Sequence, residues 1–153
     1  AGSLQPHLYP IGAIDSAGIK IAFGSDAPVI NPNPWPSIHS AVTRQDYQSK
    51  PFPESNGSGR VSVQSALRMY TLSGAELEGT VKDKGSITTG KLADLVLVDA
   101  NPLKIDPDEL KDIKAKMTMV GGRCWGGACW GIFFLSNFFS FGRDVLRSRL
   151  PFP

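Results

Sequence analysis

The chain has 153 residues, enough for one ordinary domain with a real core. Hydrophobic residues make up 41% of it and charged residues 20%, which excludes an intrinsically disordered chain. A net charge of +2 with no block of lysines and arginines gives no reason to expect a nucleic-acid partner. Ala1-Gly2-Ser3 begins neither a basic n-region nor an apolar signal run, and the missing initiator Met fits a processed, tagged or truncated start. Two cysteines do not make a disulfide framework, so a reducing, cytoplasmic setting is expected.

Pro6 and Pro10 mark Leu4 to Pro10 as a loop, with His7 just ahead of the first helix. A lone loop histidine is more often solvated than a metal ligand. Ile11, Ile14 and Ala17 repeat at helical spacing, and Gly18 suits the left-handed position that ends a helix. Ile19 to Phe23 then reads as a buried strand that stops at Gly24 and presents Ser25 and Asp26 at its carboxyl end. A helix followed by a short buried strand is half of a βαβ unit, so a parallel sheet is expected, and the carboxyl ends of such strands carry the chemistry. A carboxylate there serves as a metal ligand or a general base. The alternative, that Asp26 caps the next turn, is the commoner use of Asp on local pattern alone.

Pro28, Pro32, Pro34 and Pro36 stiffen the segment from Ala27 to Pro36 and keep it out of a sheet. It is expected to wall the site, with Trp35 as an apolar anchor; a polyproline recognition ligand is the competing reading. Pro36 opens a helix through Ser37–Thr43 with Ile38, Ala41 and Val42 on one face, and His39 is expected exposed on the other. Gln48 to Arg60 is a polar excursion, a surface loop or lid. Ser62 caps the next helix, whose stripe is Ala66, Leu67 and Tyr70; Thr71-Leu72-Ser73-Gly74 is expected to break it.

From Lys82 the texture changes. Gly85 to Gly90 is turn-rich, and Ala93 to Val98 is a strand apolar on both faces. Asp106-Pro107-Asp108-Glu109 starts a short helix, with Asp106 as N-cap and Glu109 as its box partner, buried through Leu110 and Ile113. Met117 to Val120 is a further strand, ended by Gly121-Gly122. Residues 82–122 thus look like part of a small β-rich subdomain.

These motifs, in this order, resemble the C-terminal portion of a metal-dependent amidohydrolase of the amidohydrolase family 3 branch. The residues that carry the likeness run from Asp15 through Gly24-Ser25-Asp26-Ala27-Pro28-Val29, then Ala41-Val42-Thr43-Arg44 and Ser65 to Thr71. Gly85-Ser86-Ile87, Gly90-Lys91-Leu92-Ala93-Asp94-Leu95-Val96-Leu97-Val98-Asp99 and Met119-Val120-Gly121-Gly122-Arg123 complete it, over roughly residues 8–123. The resemblance implies an α/β fold: the last helix–strand–helix unit of a (β/α)8 barrel within residues 1–80, and part of a small β-sandwich within residues 81–123. It implies hydrolysis of amide-type, non-peptide carbon–nitrogen bonds of a small-molecule substrate, with a divalent metal, zinc foremost, as cofactor. It implies that Asp26 is the catalytic base or a metal ligand, a divalent ion having lowered the pKa of its water to about 7. Asp94 and Lys91 should be structural.

The family's His-x-His pair is absent: the chain holds only His7 and His39. A catalytic zinc takes about three protein ligands. Leu4-Gln5-Pro6-His7 is similar to a Gln-Pro-x-His ligand segment of this branch, which makes His7 the second metal candidate beside Asp26. The expectation is an enzyme fragment, inactive alone; the rival is a non-catalytic remnant or interaction protein.

Residues 124–153 leave the family pattern. No charge occurs between Arg123 and Arg143, a span that nearly reaches the ~18-residue threshold for a membrane helix, although its glycines, Ser136 and Asn137 make it a poor one. Cys124 and Cys129 alone are not a metal site. Three readings stand, in order: an altered reading frame or gene-model boundary, a membrane- or partner-binding tail over residues 124–142, and an ordinary hydrophobic strand pair. Any of them predicts poor solubility for so aromatic a run.

Overall fold

The structure, a computed structural model, describes residues 9–52 and 59–126. His7 and residues 127–153, with the expectations attached to them, lie outside the described residues. Helix α1 (Ile11–Ser16) ends as its sequence requires. Gly18 takes φ +73 and donates to the Asp15 carbonyl at 2.9 Å, and Ile19 donates to the Ile14 carbonyl at 3.2 Å. These paired bonds form a Schellman motif, which needs the left-handed residue that glycine supplies without steric cost.

The expected strand from Ile19 to Phe23 does not form. Ile19–Ser25 is neither helix nor strand, and Ile19 is exposed. A ladder needs a neighbouring strand, and the only sheet among the described residues is elsewhere in the chain. Ile21 and Phe23 nevertheless pack against the core. The Phe23 N–H donates to the Met69 carbonyl at 3.0 Å, satisfying one of the carbonyls left over at the end of a helix.

Helix α2 (Trp35–Thr43) starts with Pro36 in its first turn and ends at Arg44 in the left-handed conformation. Helix α3 (Val63–Tyr70) is capped as read: Ser62 Oγ accepts from the Ser65 N–H at 3.0 Å. Thr71 interrupts the helix, but Leu72 to Gly74 do not end it. A second helix, α4 (Leu72–Glu78), begins at once. Gly85, at φ +88, lies so close to α4 that an added Cβ would stand 2.6 Å from the Ala75 Cβ.

The remainder is a three-stranded antiparallel sheet in the order β1 (Leu95–Val98), β2 (Ala115–Val120), β3 (Arg123–Gly126). Gly121 and Gly122, at φ +56 and +79, make the two-residue turn between β2 and β3. Two positive φ values in succession suit the turn whose twist matches that of the flanking strands. Asp94 and Lys91 hold this region together: Asp94 Oδ1 accepts from the Gly121 N–H at 2.7 Å, and Lys91 Nζ donates to Ser86 Oγ at 2.7 Å. β1 is not apolar-buried on both faces, for Val96 is exposed. Between β1 and β2 lies a 3-10 helix, Pro107–Asp112, whose cap is Asp106 Oδ1 accepting from the Asp108 N–H at 2.9 Å. At six residues it closes as the tighter 3-10 form rather than as an α-helix. Leu110 and Ile113 join Trp35, Ile38, Ala66 and Met69 in one buried cluster, so the helical part and the β-rich part share a core.

Candidate active site

Asp26 sits three residues beyond the point where Phe23 is docked on α3. The Phe23 ring meets Tyr70 edge-on, with centroids 5.4 Å apart and planes at 67°. Lys20 Nζ reaches Glu76 Oε2 of α4 at 3.1 Å, a second tie on the same stretch. Anchored this way, the chain turns at Asp26–Val29, where the Val29 N–H donates to the Asp26 carbonyl at 2.9 Å and the Ala27–Pro28 bond is cis.

Asp26 itself takes φ +50, a left-handed conformation that Asp tolerates better than most residues do. Its side chain is exposed and has no hydrogen-bond or ion-pair partner among the described residues. The turn is closed by the backbone carbonyl, so the carboxylate does no capping work in it. Ser25 beside it is half-buried.

The proline segment runs from this turn to α2 through two side-chain turns. Asn31 Oδ1 accepts from the Asn33 N–H at 2.9 Å, and Asn33 Oδ1 accepts from the Trp35 N–H at 3.2 Å. Trp35 is buried as an anchor. The two asparagines set this path, a use that Asn before a helix makes common.

His39 is a correction. It is not exposed but fully buried, facing the 3-10 helix. The sequence did contain the signal: Trp35, Ile38 and His39 stand at i, i+3 and i+4 and so share a face. Burial pushes its pKa below the ordinary 6.5, with help from Lys111 and against Asp108, Asp112 and Asp46. A shallow cleft opens where the end of α2 meets the start of the 3-10 helix, lined by Val42, Thr43, Gln45, Arg60, Asp106, Pro107 and Asp108. Asp26 is not part of it. Among the described residues no group of three His, Cys, Asp or Glu side chains is arranged to hold a metal ion.

The model of the amidohydrolase family matches residues 3–125, most of the chain and both of its parts. The chain belongs to the amidohydrolase family. It is similar to an N-substituted formamide deformylase of Arthrobacter pascens, with 31% identity over 79% of this chain and 22% of that protein. The putative amidohydrolase YtcJ of Bacillus subtilis is 34% identical over 71% of this chain and 20% of its own length. A 5-methylthioadenosine/S-adenosylhomocysteine deaminase of Caldanaerobacter subterraneus is 34% identical over 68% of this chain and 23% of its own length. The chain thus spans about a fifth of the length of the curated relatives it matches. The family match includes Asp26 and ends within β3, at residue 125.

Proposed function

We propose that this amidohydrolase chain is the C-terminal portion of a metal-dependent hydrolase of amide-type, non-peptide carbon–nitrogen bonds, inactive alone, in which Asp26 serves the reaction. One observation carries the reading: the family match covers a carboxylate that is exposed and without internal partner, held on a segment pinned to two helices. Hydrolysis breaks the C–N bond, giving the carbonyl carbon a hydroxyl and the nitrogen a proton. A carboxylate in Asp26's position suits the passage of that proton from the attacking water to the leaving nitrogen. Relatives that include a formamide deformylase and a deaminase support the bond class. The order α1, irregular stretch, α2 is what the last unit of a (β/α)8 barrel would contribute, with the neighbouring strands supplied by further polypeptide.

The described residues do not by themselves fit a metal, since Asp26 has no companion ligands among them. Zinc or another divalent ion would draw its remaining ligands from the longer polypeptide, with His7 the second candidate in this chain. The same observation favours the second reading, a non-catalytic remnant that acts through contacts. Among the described residues no helix is long and apolar enough to cross a membrane.

Metal analysis by atomic emission on the chain purified without added metal tests the proposal. The expected result is a folded chain with far less than one metal ion per molecule and no turnover of N-formyl amines. Stoichiometric metal that disappears in Asp26→Ala would overturn the fragment reading and make a complete site of this chain.

A further inference from the structure

The His39 ring, carried by α2, faces the 3-10 helix, fully buried, with neither ring nitrogen hydrogen-bonded among the described residues. Its Nε2 stands 3.9 Å from Asp108 Oδ1, beyond hydrogen-bond reach, while the Asp108 side chain is itself largely exposed. The charged groups facing the ring come from two places: Asp108, Lys111 and Asp112 of the 3-10 helix, and Asp46 of the turn after α2. Lys111 is held there by its hydrogen bond to Ser49 Oγ. Among the described residues α3 also packs on α2, and its buried residues are the apolar Ala66 and Met69. A neutral imidazole in this pocket leaves one N–H and one ring nitrogen unpaired, a modest cost. An imidazolium there would be a buried charge without a hydrogen bond, which costs far more.

We propose that His39 is an acid-sensitive latch: neutral, it seals α2 against the 3-10 helix, and protonation drives the buried ring out toward water and parts the two helices. The direction follows from linkage. The folded pKa is lowered, burial contributing most and Lys111 next, against Asp108, Asp112 and Asp46. The unfolded or opened chain therefore binds the proton more readily than the closed one. The closed interface is fully stable above the ordinary value of 6.5 and loses stability as pH falls below it, through the lower folded value. One proton changes the opening equilibrium by at most about tenfold per pH unit.

The full chain has only two histidines, so proton NMR follows both, with His7→Asn assigning the pair. The His39 resonance is expected to titrate below 6.5. Amide protection of residues 35–43 and 107–112, corrected for intrinsic exchange, is expected to fall by up to about tenfold per pH unit in the same range. His39→Leu should abolish that fall. If the leucine variant does not fold, Asp108→Asn decides on the surface side, since loss of the carboxylate should move the titration still lower. A His39 resonance titrating at 6.5 or above, protection that ignores pH, an acid response that survives His39→Leu, or a midpoint unmoved by Asp108→Asn each overturns the latch.

Discussion

Asp26 combines a left-handed backbone with an exposed, unpartnered carboxylate, and the two properties can be separated by substitution. Asn tolerates the same backbone region, so Asp26→Asn is expected to change stability by less than about 0.5 kcal/mol in urea titrations. A β-branched residue does not, and Asp26→Val should cost about 1–2 kcal/mol. In the longer polypeptide that the proposal requires, Asp26→Asn should lower kcat by about 10²–10⁴-fold while leaving the fold intact. Unchanged turnover would remove Asp26 from the reaction. Gly85 is the opposite kind of residue, constrained by what surrounds it. Gly85→Ala forces a Cβ against Ala75 and the α4 backbone at positive φ, and a loss of about 2–3 kcal/mol is expected by chemical denaturation.

The elements are fixed by short-range chemistry where they end and by packing where they face. Ser62 supplies an oxygen to an otherwise unpaired N–H at the start of α3, so Ser62→Ala should cost about 1 kcal/mol, and Ser62→Asp almost nothing. Asp106 does the same for the 3-10 helix, which then presents Leu110 to the core and Asp108 to His39. The β2–β3 hairpin depends on Gly121-Gly122 and on the Asp94 carboxylate that takes the Gly121 N–H. The stretch from Ile19 to Ser25 is different in kind. It has apolar alternation enough to read as a strand, but its backbone bond from Phe23 goes to the end of a helix rather than to a neighbouring strand.

At the scale of the whole molecule, the core joins parts of the chain that look separate in sequence. Leu110 of the 3-10 helix is completely buried with Ile38 of α2 and Ala66 of α3. Leu110→Ala is expected to cost about 2–5 kcal/mol, a large share of the stability of an ordinary domain. If helices and sheet share one cooperative core, circular dichroism and tryptophan fluorescence should then lose structure at the same, lower urea concentration. Separated transitions would show that the β-rich part folds independently. The relation to the family acts at this scale too. A chain spanning about a fifth of its relatives carries the turn with Asp26, while the described residues bring no group to it that could complete a metal site.

The sequence by itself determined whatever depends on residues a few positions apart: the glycine ending α1, the caps at Ser62 and Asp106, Pro36 in the first turn of α2, and the paired glycines between β2 and β3. It also carried the family, because Gly24-Ser25-Asp26-Ala27-Pro28-Val29 and Gly90-Lys91-Leu92-Ala93-Asp94-Leu95-Val96 are local strings. Only the tertiary structure decided that Ile19 to Phe23 stays out of a sheet, that His39 is buried rather than exposed, and that the Asp26 carboxylate is left unpartnered. Strand pairing and burial depend on what lies across space, and a run of apolar residues carries no record of whether a neighbour is there to pair with it.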